Sequence, residues 1–276
     1  MLKYFKYFDL LSRIDLEKFV KILVIGDVTS PSGVDHLYKN LWRIRRDRGI
    51  DLCIVNGENA SFITGISAPL ADKLFQSGAD VITGGNHTLR NHSVYTYLDD
   101  TDAILRPINF GDAVAGHGYT VVDGAGYRVL VINAMGNVHI EPVLDNPYSY
   151  IDAVLAREEG KYDFAVLDIH AEATGEKMAI GYNYDGKINV VFGTHTHVQT
   201  ADEQILPQGT GYISDIGMCG ESGGILGMNP ELVTKQLRTR MPIRFEAAKG
   251  EPKATGAIFD VDTGSGKVKC VERIKF

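Results

Sequence analysis

Along the first third of the chain, each short apolar run is followed by a polar, glycine-containing turn and then by apolar positions at helical spacing. "KILVIGD" (21–27) leads through a turn holding Pro31 and Gly33 to "VDHLYKNLWRIRRDR" (34–48). "DLCIVNGEN" (51–59) leads to "APLADKLFQSG" (68–78), where Gly78 is suited to end a helix in the left-handed conformation. "DVITGGNH" (80–87) leads to "NHSVYTYLDD" (91–100). Continuous apolar runs suit strands buried on both faces, and their alternation with helices predicts an α/β core.

After Arg106 the texture changes. "GYTVVDGAGYRVLVINAMG" (118–136) predicts two strands joined at Gly124–Gly126, and "TGAIFDVDTGSGKVKCVERIKF" (255–276) predicts a second hairpin around "DTGSGK". "FAVLDIH" (164–170) and "INVVFGTH" (188–195) return to the buried-strand style. No repeat, low-complexity tract or long linker divides the chain, so the pattern predicts one domain over residues 21–276 with two sheets flanked by helices. Residues 1–20 are an extension with no assigned role. Leu2, Phe5, Phe8 and Leu11 trace a helical stripe there, but charges from Lys3 to Lys18 break every apolar run, against a secretory signal or a membrane span.

Composition narrows the function classes. The net charge of −7 argues against a broad grip on extended nucleic acid or an anionic membrane. It does not exclude a small phosphate ester, because bound metal supplies positive charge locally. Cys53, Cys219 and Cys270 form no CxxC pair and are expected to be reduced thiols of a cytoplasmic protein.

The candidate chemistry sits where the apolar runs end. "ILVIGD" ends in Asp27, "CIVNGEN" in Glu58 and Asn59, "VITGGNH" in Asn86 and His87, "AVLDIH" in His170, and "VVFGTHTH" in His195 and His197. The carboxyl ends of strands are where α/β sheets handle ligands. Taken singly, Asp27 reads as a cap, Asn86–His87 as a hydrogen-bonded turn, and the HxH pair as a strand-end decoration. Together they offer oxygen and nitrogen lone pairs without thiolate, which suits borderline divalent metals. Such a set exceeds one tetrahedral site and suits two ions sharing a carboxylate, able to clamp a phosphoryl oxygen and activate water for in-line displacement.

At these residues the chain resembles the calcineurin-like metallophosphoesterases, and within them the YmdB-like family of bacterial phosphodiesterases. The resemblance rests on "IGDV" (25–28), "NGENA" (56–60), "SGADVITGGNHT" (77–88), "RPINF" (106–110), "HAEATGEK" (170–177), "VVFGTHTHVQTAD" (190–202), "DIGM" (215–218) and "GILGM" (224–228). It implies a four-layer α/β sandwich and a dinuclear centre of iron or manganese, with zinc as an alternative. It also implies that Asp27, Glu58 and His197 hold one ion, and that Glu58, Asn86, His170 and His195 hold the other. Asn59 is then an added ligand or an orienting group, and His87 a hydrogen-bond donor to the phosphate or the proton source for the leaving alkoxide. The implied reaction is hydrolysis of a cyclic nucleotide, preferentially 2′,3′-cyclic, by metal-activated water.

The chain departs from the pattern in places. Thr29 stands where the wider superfamily has histidine, an absence that the YmdB-like pattern shares. Val34 replaces a usual arginine, Leu89 and Arg90 replace Trp-Asp, and Asn137 replaces another arginine. These positions spare the implied ligands and bear on substrate contacts. Two other readings stay open: a phosphomonoesterase on the same centre, and a non-catalytic regulator whose metals organise a surface. An amidohydrolase is disfavoured, because there the HxH pair opens the chain and here it comes late. The expected partner is a small phosphodiester, with a homo-oligomer left open.

Overall fold

The computed structural model describes residues 19–62, 64–124 and 126–276, so the stripe read in residues 2–11 lies outside them. One sheet contains β1 (Phe19–Ile25), β2 (Asp27–Val28), β3 (Leu52–Asn56), β4 (Val81–Thr83), β11 (Met218–Glu221), β12 (Pro252–Asp262) and β13 (Val268–Lys275). Its order is β2-β11-β12-β1-β3-β4, with β13 on β12. The other contains β5 (Tyr119–Gly124), β6 (Tyr127–Met135), β7 (Phe164–His170), β8 (Val190–Thr194), β9 (Gln204–Ile205) and β10 (Gly211–Ile213), in the order β5-β6-β7-β8-β10-β9. The helices are α1 (Pro31–Arg48), α2 (Ala68–Ser77), α3 (Tyr95–Asp100), α4 (Pro147–Arg157), α5 (Thr174–Asn183) and α6 (Pro230–Thr239). Both expected hairpins form, β5–β6 and β12–β13.

The two-residue period of a strand sorts each apolar run into two layers. In β1, Ile22 and Val24 face Phe164, Val166 and Phe192 of the other sheet, while Leu23 and Ile25 pack with Val34, Leu37 and Leu41 of α1. In β7, Phe164 and Val166 join that central layer, while Ala165, Leu167 and Ile169 pack with Ile151 of α4 and Ile180 of α5. The result is the four-layer sandwich: helix, sheet, sheet, helix. Because β1, β3 and β4 are mutually parallel, as are β7 and β8, their carboxyl ends share an edge within each sheet.

Two local readings are corrected. The turn expected at Pro31 is the first turn of α1, where Ser30 caps through a bond accepted from the Gly33 N–H and proline needs no N–H of its own. The helix expected over 91–100 starts only at Tyr95, because the Asn91 side chain accepts from the Ser93 N–H and holds a separate short turn. Gly78 ends α2 with φ 108°, as its position predicts.

Candidate metal centre

Five strand ends converge. The first sheet delivers oxygen donors: buried Asp27 after β1, buried Glu58 after β3, and Asn86 after β4. The second delivers imidazoles: His170 closing β7, with His195 and His197 after β8. His170 Nε2 lies 3.1 Å from Asn86 Oδ1, 3.1 Å from His195 Nδ1 and 3.5 Å from Glu58 Oε2. Glu58, His170 and His195 each offer a ligand atom, all within 4.8 Å of one another. Beside them, His197 Nε2 is 3.2 Å from Asp27 Oδ2, which also accepts from the His195 N–H at 3.2 Å. Asp27 Oδ1 is buried without a hydrogen-bond partner among the described residues.

Each imidazole is held through the nitrogen that points away from the cluster. The Thr194 hydroxyl donates to buried Asp168 at 2.7 Å, so it accepts from His170 Nδ1–H at 2.9 Å, leaving the His170 Nε2 lone pair facing Asn86 and Glu58. Glu172 lies 3.2 Å from His195 Nε2, which leaves Nδ1 for the cluster. The Leu226 carbonyl is 3.3 Å from His197 Nδ1, which leaves Nε2 for Asp27. Asn86 is fixed in turn by donating from Nδ2 to the Glu141 carbonyl. Lone pairs of His170, Asn86 and Glu58 therefore meet with no proton to share, a set that repels itself unless a cation binds it. The residues fit the metal that the resemblance implies, and anchoring the outer nitrogen is how histidine ligands are oriented.

Charge follows the same geometry. Burial pushes His170 down to about 3, keeping it neutral. Burial opposes ionisation of Glu58, but the imidazoles of His170 and His87 and the His87 N–H outweigh it and hold the carboxylate below its usual range. Burial raises Asp27, and the bond and charge of Asp27 overcome burial to raise His197 to about 9. That pair shares a proton, which a bound cation displaces.

Asn59 and His87 sit at the rim. Asn59 Nδ2 donates to Glu58 Oε1 at 2.8 Å, and Asn59 Oδ1 is 2.7 Å from His87 Nδ1. The amide thus orders carboxylate and imidazole together, and among the described residues only Nδ1 of the His87 ring is engaged. The His87 N–H also donates to Glu58 Oε2 at 3.0 Å.

Glycine at the head of "GTHTH" (193–197) leads the sequence reading to expect a turn there that presents the two histidines. Gly193 does not make the turn. It lies within β8, where a Cβ would run into the Ser214 carbonyl and come within 2.7 Å of Lys177 Cδ. The turn falls on the histidines, His195 at φ 102° and His197 at φ 62°. A positive φ is costly for a non-glycine residue and persists only when the surroundings enforce it. Here Asp27 holds the His195 N–H, and Asp215 accepts from both the Thr196 N–H and its hydroxyl.

Sequence reasoning missed Thr194, Asp168 and Glu172, although all three stand in quoted stretches. Asp168 interrupts an apolar strand and accepts from Asn56, Thr83 and Thr194; burial, opposed by these donors, pushes it up to about 7. Also missed was the outer wall. A cavity of about 360 Å³ is lined by Glu58, Asn59, His87, Glu172 and His195–His197 together with Ile225, Leu226, Met228, Val233 and Phe245. A larger cleft of about 700 Å³, lined by Arg106, Tyr119, Tyr150 and Arg157 among others, contains none of the expected donors. Of the departures from the family pattern, Val34 is buried on the inner face of α1, and Asn137 braces loop backbone at Leu144 and Asp145. No described helix is long and apolar enough to cross a membrane.

The family model described as YmdB-like protein matches residues 23–274. A Bacillus subtilis protein named 2′,3′-cyclic-nucleotide 2′-phosphodiesterase is 40% identical over 255 residues, covering 92% of this chain and 96% of its own. A crystal structure of a Thermus thermophilus protein superposes with TM-score 0.85 at 33% identity, covering 93% of this chain and 99% of that one. The crystal structure of a Mycoplasma pneumoniae phosphatase gives TM-score 0.87 at 30% identity, with 94% of each chain covered.

Proposed function

The chain belongs to the YmdB-like family of calcineurin-like metallophosphoesterases, and on that premise we propose that it is a metal-dependent phosphodiesterase opening 2′,3′-cyclic nucleotides to nucleoside 3′-phosphates. The observation that carries this reading is the meeting of the His170, Asn86 and Glu58 lone pairs beside the Asp27–His197 pair. Asp27, Glu58 and His197 would hold one ion, and Glu58, Asn86, His170 and His195 the second, with Glu58 shared. Nitrogen and oxygen donors without thiolate suit manganese, iron or zinc. When bound, two such ions neutralise phosphate oxygens and make water a competent nucleophile at neutral pH.

The remaining work falls to the chain. As water adds to phosphorus and the P–O2′ bond breaks, the 2′-alkoxide needs a proton. His87 lines the cavity with Nδ1 tied to Asn59, so its Nε2 is the atom able to deliver that proton. Asn59 holds the imidazole and the shared carboxylate in one arrangement, which makes it the orienting group rather than a further ligand.

The test is turnover by metal-reconstituted protein on 2′,3′-cyclic nucleotides, bis-p-nitrophenyl phosphate and p-nitrophenyl phosphate, with elemental analysis of the same sample. The reading expects two metals per chain and the highest kcat/KM on the cyclic diester. Preference for the monoester would redirect it to a phosphomonoesterase, and full activity in a verified metal-free sample would remove the dinuclear scheme. Bound metal with no turnover of any ester would favour a regulatory role.

A further inference from the structure

The cavity over the centre is two-sided in its chemistry. Its polar side chains are those of the candidate centre and its rim, and the wall made by Ile225, Leu226, Met228, Val233 and Phe245 offers no side-chain hydrogen-bonding group apart from the weak Met228 sulfur. The wall is built on firm supports. Ile225 and Met228 exchange both backbone hydrogen bonds, at 3.0 and 2.9 Å, closing a tight turn, and Met228 bridges to Ala247 near Phe245. Val233 comes from α6, whose start is capped by the Asn229 side chain. Ile225 and Leu226 remain 40% and 45% exposed beside charged groups. Such a surface cannot recognise phosphate; it recognises whatever apolar part the phosphate-bearing molecule carries.

Resting on the activity proposed above, we infer that this wall is a nucleobase platform that takes a base by its face and does not read its edge. A ring and a thioether are suited to the π-face of a heterocycle. About 360 Å³ lies near the lower end for ligand sites, room for a nucleoside but not for a lipid chain. With no side-chain hydrogen-bonding group on the wall itself to pair with base edges, selection among bases is weak, because an apolar surface discriminates by area alone. The platform therefore selects nucleotides as a class over diesters without a base.

Calorimetric titration of metal-loaded protein tests this independently of turnover. The ligands are adenosine 3′-monophosphate, uridine 3′-monophosphate and methyl ribofuranoside 3-phosphate, which lacks the base. Stacking on an aromatic side chain predicts that the adenosine ligand binds about tenfold or more tighter than the baseless one, with the two nucleotides within about tenfold of each other. Phe245→Ala and, separately, Val233→Ala should each cut the preference for nucleotide over baseless phosphate severalfold, and Phe245→Leu should fall between. Parent protein that binds the baseless ligand as tightly as the nucleotides, or a preference unchanged in both alanine variants, overturns the platform, as does hundredfold selectivity between the two bases. If 2′,3′-cyclic nucleotides are not hydrolysed while these binding preferences hold, the reaction is wrong and the platform stands.

Discussion

Gly85 offers the sharpest single perturbation of the centre. Its φ lies outside the left-handed region, so alanine meets no backbone objection there. A Cβ at this position, however, would stand closer than 3.0 Å to both Glu58 Oε2 and His170 Nε2. To restore ordinary contact, the two side chains must retreat by about 1 Å, whereas ligand distances tolerate only about 0.2 Å. Gly85→Ala therefore removes metal binding at a folding cost of roughly 1–3 kcal/mol for overpacking. Metal at a hundred times its Kd stabilises a folded protein by about 2.7 kcal/mol, which for a chain of this size raises Tm by roughly 5 °C or more. The parent should show that rise and the variant little or none, with elemental analysis showing metal lost from the variant. Gly175→Ala is the control: it stands in α5 with nothing within 4 Å of the added methyl, and it should bind metal like the parent with equal or higher Tm. A Gly85→Ala protein with parental metal content and parental rise in Tm would refute the geometry.

Three further outcomes follow from the contacts around the centre. Thr194→Val breaks the path from Asp168 to His170 and should weaken metal binding about 10–100-fold by direct titration, whereas Thr194→Ser restores it; equal affinity in all three proteins would deny the relay. His87→Ala should keep its metal and lose about 10²–10⁴-fold in kcat, and unchanged turnover would remove His87 from the reaction. Metal-free protein should lose stability as pH falls from 6.5 toward 3, because the unfolded chain protonates His170 near its ordinary 6.5 while burial holds the folded imidazole at about 3. Denaturant midpoints across that interval should fall less steeply in His170→Asn; a parallel slope would show that His170 does not contribute.

The donors were legible because each follows an apolar run directly, so naming the strand named the residue at its end. Their partition between two sheets was not, since the layer that a strand joins depends on pairing partners far along the chain, such as β12 beside β1. Asp168 looked like a lapse in an apolar strand. Its role comes from Asn56 and Thr83, residues remote in sequence that bond to it only once the sheets are packed. The wall was illegible for another reason: a tight turn and a helix with no buried residue leave no periodic trace of a common face. At Gly193 the residue type invited a turn, but close approach to the Ser214 carbonyl is what requires it.

The division of the centre between sheets bears on how the chain matures. Asp27, Glu58 and Asn86 ride on one sheet, and His170, His195 and His197 on the other. A chain with only one sheet assembled presents only part of the implied ligand set. Completion of the proposed mixed centre would thus wait until both halves are docked in register, so that full ion loading would report finished assembly. A chain whose sheets dock one register out would hold the two donor sets apart and miss the proposed mixed centre.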